Sequence, residues 1–235
     1  MIATPSPADT KAYNTATFSV TTTLKPSKLD QIPETLPPIP NLEFFPDSHR
    51  YTHNGRLIPW SVTKITSHDK SQADLDAMWS RRSDWEPRGQ QVHSCLEAFL
   101  KGEALLNPGK YAEWVEPLLE HRLWRDYSCI ASERRMVSPC GLVAGSCDAV
   151  LSNGTKTLLV DLKTVSSASR SPYSTDRQMG AYTWLLNANH KLYVDHCVTV
   201  WAAPGFVRLT VAEPDACYAA WDACFEQFKL KQETF

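Results

Sequence analysis

The chain has no CxxC pair and no cysteine and histidine spacing of the zinc-module kind. Its seven cysteines, Cys95, Cys129, Cys140, Cys147, Cys197, Cys217 and Cys224, are scattered and odd in number. That pattern excludes a zinc ribbon or a disulfide framework and reads as reduced thiols. No stretch approaches the roughly 18 uninterrupted apolar residues of a membrane span, and no early apolar run resembles a signal peptide. A soluble, cytoplasmic protein with no membrane partner is therefore expected. Charge of neither sign is in excess: 24 Lys and Arg stand against 26 Asp and Glu, a formal net charge of -2. This excludes a polybasic nucleic-acid coat protein, but not an enzyme whose acidic centre is offset by local basic patches. A GxxxxGK[ST] phosphate loop is also absent, so the chain is not itself a helicase or other P-loop motor.

What is present suits one substantial core: 235 residues, 43% of them hydrophobic and 10% aromatic. Residues 1–41 are rich in Pro, Thr and Ser without helical or strand periodicity, and are expected to form a flexible arm ahead of a single domain over 42–235. The stretch "HRYTHNGRLIP" centres on Asn54-Gly55, the strongest short hairpin signal. Helices are expected over about 71–82, 87–101 and 109–126, the second with Val92, Leu96, Phe99 and Leu100 on one face. "CIASERRMVS", "LVAGSCDAVL" and "TLLVDLKT" then read as an antiparallel meander, the last two joined by "SNGTK". A helix over about 173–189, strands near 194–202 and 206–211, and a helix over 213–230 complete the pattern. The class is α/β, with a small mixed sheet flanked by helices and an N-terminal helical half.

Within "LLVDLKT", Asp161 and Lys163 project to the same face of an otherwise hydrophobic strand. Burying two charges costs several kcal/mol each unless they are paired or bind an ion. Asp148 lies in the strand that the Asn153-Gly154 turn brings alongside, so two carboxylates are expected side by side, with a lysine next to them. Carboxylates so placed repel unless one is protonated or a cation intervenes. A hard divalent ion, Mg²⁺ or Mn²⁺, fits such oxygen ligands, and an ion with an adjacent ammonium suits phosphodiester hydrolysis. The competing reading of Asp-x-Lys alone is a salt bridge on an exposed strand.

Taken in order, "RGQQVH", "GSCDAV", "VDLKT" and "RQMGAY" resemble the RGxxxH, GxxD, DxK and QxxxY motifs of the PD-(D/E)XK nuclease superfamily, in its RecB-like and phage-type exonuclease branch. The resemblance spans about residues 43–190 and implies a restriction-endonuclease-like core. It further implies that His93, Asp148, Asp161 and the Leu162 carbonyl ligate the metal and that Lys163 is the catalytic lysine. The resemblance also implies that Gln178 and Tyr182, one turn apart on a helix over the sheet, position the site and contact DNA; the competing reading is that they are polar surface residues. Glu133 matches an acidic position of related nucleases, and Glu97 is either an acid close behind the site or a solvated helix-face residue. Among Arg81, Arg82, Arg88, Arg170 and Arg177, each is either a phosphate contact or a solvated surface residue. Trp60, Trp79 and Trp85 either stack on unpaired bases or belong to the core. Four-cysteine spacing of the iron–sulfur members is missing, so no cluster is expected.

The function so implied is a metal-dependent DNA exonuclease acting from DNA ends, of the phage recombination or end-resection type. With it come a ring-shaped homo-oligomer, a single-strand-annealing partner and a phage gene in a bacterial host. One alternative is a single-strand-specific exonuclease or flap endonuclease. Another, of a different class, is a non-catalytic nucleic-acid-binding or inhibitor module that kept the fold.

Overall fold

A computed structural model describes residues 32–233. Of the arm expected over 1–41, residues 1–31 lie outside the described residues. The remainder lies along the domain: Leu36 is buried, its N–H donates to the Ile130 carbonyl (2.8 Å), and its own carbonyl accepts from Arg134.

A three-stranded antiparallel sheet comes first, β1 (Leu42–Phe45), β2 (Arg50–His53) and β3 (Arg56–Ile58). Asn54 (φ 51°) and Gly55 (φ 74°) both take the left-handed conformation that the two-residue turn between β2 and β3 requires. The short β4 (Trp60–Ser61) leads into α1 (Val62–Thr66), whose first turn is capped by the Ser61 hydroxyl. Next come α2 (Gln72–Trp79) and α3 (Arg82–Leu100). The second expected helix thus starts earlier than Pro87 and runs through it, helped by the Arg82–Glu86 ion pair at i,i+4.

The single helix expected over 109–126 is instead a 3-10 turn at Gly109–Tyr111, then α4 (Ala112–Leu119) and α5 (Leu123–Asp126). Pro117 lies inside α4 without ending it. It has no N–H for the Glu113 carbonyl, which accepts from the Gly205 N–H instead (2.8 Å). After α4 the His121 ring nitrogen takes up the Leu123 N–H, starting a new turn.

The larger sheet has six strands. β5 (Ser128–Val137), β6 (Val143–Ser152) and β7 (Thr157–Thr164) form the expected meander. After α6 (Asp176–His190), β8 (His196–Ala203) pairs parallel to β7, and β9 (Phe206–Ala212) pairs antiparallel to β8. Helix α7 (Pro214–Glu233) closes the chain. Beneath α1, α6 and α7 one core gathers Val62, Ile65, Met179, Leu185, Trp221 and Phe228. Beneath α3 and α4 a second gathers Val92, Leu96, Leu118, Val160 and Leu162. Each such side chain contributes roughly 1.5–3 kcal/mol by leaving water.

One irregularity positions the site. β5 pairs with β6 along nearly its whole length, whereas on the other edge β6 pairs with β4 only at Val143–Ala144 and with β7 only from Ala149 onward. Between them β6 and β7 part like a fork, and Asp148 stands where they separate. Among the described residues no helix is long and apolar enough to cross a membrane.

Candidate active site

Asp148 carries the fork. Its carboxylate accepts the Leu162 N–H, so a side chain replaces the ladder bond that β6 would have supplied. Its other oxygen lies 3.3 Å from Nδ1 of His93 on α3. On the far side of β6, Glu133 falls between the pairs Ser132–Ala149 and Arg134–Cys147, opposite Asp148. Glu133 has φ 46° in mid-strand. A left-handed glutamate costs on the order of 1–2 kcal/mol, and such strain concentrates at functional sites. Ligand atoms of His93, Glu133 and Asp148 all lie within 4.8 Å of one another. Two carboxylates and one imidazole, with no thiolate, make an oxygen-rich set fit for a hard divalent cation.

Asp161 is almost fully buried, at 1% exposure. One of its oxygens lies 2.7 Å from Nζ of Lys163, and the other accepts from Nε2 of Gln178 (3.0 Å). Gln178 also accepts from Lys163 Nζ through Oε1 (3.0 Å), while its Nε2 contacts the Tyr182 hydroxyl (3.0 Å). Gln178 and Tyr182, one turn apart on α6, thus clamp the Asp161–Lys163 pair from above the sheet. Gly145, at the head of "GSCDAV", makes room for that clamp: a Cβ there would come within 2.8 Å of Val62 and 2.9 Å of the Tyr182 ring.

The charges are strongly coupled. Burial works against the imidazolium of His93, but Asp148 outweighs it through charge and hydrogen bond and lifts the group to about 9. For Glu133, burial and then repulsion from Asp148 push the carboxyl up to about 7. Burial would raise Asp148 too, yet His93, Lys163 and the Leu162 N–H hold it below its ordinary value. Asp161 is raised by its burial despite Lys163. Lys163 is itself held above the usual lysine range by both aspartates, against the effect of burial, and so stays charged. Without a cation the site holds its own protons, as carboxylates in so small a volume must.

Of the other residues singled out in the sequence, Glu97 is ion-paired to Lys101 one turn on, and Arg177 is engaged by Asp69 (2.7 Å). Arg88 reaches the strand end, donating to the Thr164 hydroxyl (3.3 Å). Trp60 packs against the α7 core, its ring edge-on to Phe228, while Trp79 is half exposed beneath Arg82 and Trp85 donates to the Met78 carbonyl. The ion-capable trio has Glu133 beside His93 and Asp148, whereas Asp161 stands one step back on Lys163 and Gln178. The signal for Glu133 was present in the sequence: it and Asp148 are equidistant from the Cys140-Gly141 turn.

No family model matches the sequence, and no curated protein is similar to it. Among solved structures the chain is similar to a protein from Eubacterium rectale designated an exonuclease by inference. That likeness has 12% identity and a TM-score of 0.50, over 73% of this chain and 79% of that one. The fold is the expected restriction-endonuclease-like α/β one. An alkaline exonuclease from Laribacter hongkongensis is similar at 13% identity and a TM-score of 0.40, over 74% of this chain and 87% of the other. In this fold the forked strand pair carries Asp148 on one prong and Asp161 and Lys163 on the other, with α3 and α6 on opposite faces.

Proposed function

We propose that this chain is a divalent-metal-dependent deoxyribonuclease that hydrolyses phosphodiester bonds from DNA ends. The observation that carries this reading is the convergence of His93, Glu133 and Asp148 within 4.8 Å of one another, alongside the Asp161-anchored Lys163.

His93, Glu133 and Asp148 would hold Mg²⁺ or Mn²⁺. A carboxylate offers about four acceptor sites, so Asp161 has the capacity to join them while keeping Lys163, and the Leu162 carbonyl is the remaining proposed ligand. Such an ion, when bound, lowers the pKa of water and neutralises charge on the phosphate. Lys163 is the group that meets charge developing on the phosphate. Two carboxylates keep it protonated, which suits it to act as a fixed cation and not as a base. Gln178 fixes both the lysine and Asp161, and Tyr182 fixes Gln178. We read 42–235 as the nuclease domain and 1–41 as an arm preceding it.

The test is digestion of end-labelled linear duplex, single-stranded and closed circular DNA with Mg²⁺, Mn²⁺ or EDTA, comparing the wild type with Asp161→Ala. Metal-dependent loss of linear DNA that spares circles and is absent in the variant is expected, and the label then gives polarity and strand preference. Cutting of circles would convert the reading to an endonuclease. No cleavage under any condition would leave the binding-module reading. Sedimentation of the active protein, with and without a single-strand-annealing protein, addresses the ring and the partner that the motif resemblance implies.

A further inference from the structure

Arg88 stands apart from the other arginines considered above. It is half buried, its Nε donates to the Thr164 hydroxyl at 3.3 Å, and its guanidinium lies 5.6 Å over the Trp114 ring. Trp114 is itself locked, with its indole N–H donating to the Val165 carbonyl at 2.8 Å. The side chain is therefore held from both sides. Yet among the described residues neither terminal nitrogen of the guanidinium has a hydrogen-bond partner, and no carboxylate lies within ion-pair distance. By contrast, Arg82 and Arg177 each have a carboxylate. Burial, first of all, depresses the Arg88 ionisation; Tyr111 works against it, and Arg170, a charge of the same sign, adds to the depression ahead of the weaker opposing effect of Asp84.

A partly desolvated, preorganised guanidinium with an open fork and a second cation nearby has the chemistry of an anion seat. Its place is specific. Arg88 lies five positions before His93 on α3, an axial rise of about 7.5 Å, so its side chain leaves the helix within about one and a half turns of a candidate metal ligand. Thr164, which anchors the guanidinium, directly follows Lys163.

We propose that Arg88, braced by Trp114 and Thr164, binds a backbone phosphate adjacent to the one being cleaved and so sets the register of the strand in the site. This rests on the nuclease reading above. Arg88 is a positioning residue: it holds the neighbouring phosphate and leaves the reacting one to Lys163 and the ion.

The experiment uses oligonucleotides in which one phosphate at a time, on either side of the scissile bond, is replaced by an uncharged methylphosphonate. They are cleaved by the wild type, Arg88→Gln and Arg88→Lys. For wild type, one adjacent neutral linkage should lower kcat/KM by roughly 10- to 100-fold, the size of a charge-assisted bidentate contact. Arg88→Gln should lose about as much on unmodified DNA and be nearly indifferent to that same linkage, while Arg88→Lys recovers only part. In EDTA, where nothing is cleaved, Arg88→Gln should reduce the slope of log affinity against log salt by about one. A variant that loses activity equally on charged and neutral linkages, with an unchanged salt slope, would overturn the proposal in favour of a structural role. So would a fully active variant. If wild type itself cleaves nothing with Mg²⁺ or Mn²⁺, the nuclease reading fails, while the salt slope still decides whether Arg88 holds a phosphate.

Discussion

Glu133, His93 and Lys163 show how single residues are tuned by their neighbours. His93, lifted to about 9, and Glu133, lifted to about 7, must both lose protons before they ligate an ion. At pH 7, binding of Mn²⁺ should therefore release about one proton from His93 and about half of one from Glu133, and release should fall toward zero above pH about 9.5. Titration calorimetry in buffers of different ionisation enthalpy measures this, and binding at pH 7 without proton release would contradict the assignment. Lys163→Ala should lower kcat by roughly 100- to 1,000-fold and leave Mn²⁺ affinity within a few-fold. A loss of affinity as large as the loss of turnover would show that the lysine acts through the ligands instead. The placing of Asp161 with Lys163 on one strand face, and of Asp148 in the adjoining strand, was legible in the sequence because strand alternation and hairpin register are short-range rules. Glu133 was harder, since its left-handed φ sits in a strand whose alternation predicts nothing of the kind.

At the scale of elements, α6 is the part that packing governs most. It presents Gln178 and Tyr182 to the sheet while its other side rests on α7, and Gly180 is where the two helices touch. A Cβ at Gly180 would stand 2.0 Å from the Cys217 carbonyl oxygen and 2.8 Å from the Trp221 Cβ, both on α7. Gly180→Ala should thus force the helices apart and cost about 1–3 kcal/mol or more. It should also weaken turnover, because Gln178 and Tyr182 flank the displaced residue. Denaturant unfolding checks the first effect, and an unchanged midpoint would mean that α6 and α7 part without penalty. The meander, the closing helix and the Asn54-Gly55 turn matched their sequence patterns because period and turn chemistry are local. The split of the helix expected over 109–126 was not legible, because it lies where the His121 ring nitrogen takes the Leu123 N–H, a side-chain bond on which helical periodicity is silent.

For the molecule as a whole, the site is a concentrated charge store that ties stability to pH. The raised His93 stabilises the fold fully below about 6.5, and this contribution is lost as pH rises through about 9. Glu133 acts in the same sense: its raised value favours the fold below about 4.5, a contribution lost through about 7. Asp148, held low, contributes above its ordinary value of 3.8 and loses that contribution as pH falls. The metal-free protein should accordingly unfold at progressively lower temperature from pH 6 to 9.5. The stabilisation gained on adding Mn²⁺ should grow over the same interval, as thermal unfolding with EDTA and with excess ion would reveal; a gain independent of pH would argue against these ligands. By itself the sequence determined the α/β class, the three-stranded meander and the facing of Asp161 with Lys163, since these follow from side-chain period and turn residues within a few positions. The tertiary structure alone decided that β6 and β7 fork at Asp148, that Glu133 joins His93 and Asp148 in the ion-capable trio, and that Arg88, set over Trp114, has no carboxylate partner among the described residues. Each of these depends on where separate elements end against one another, and packing in three dimensions sets that.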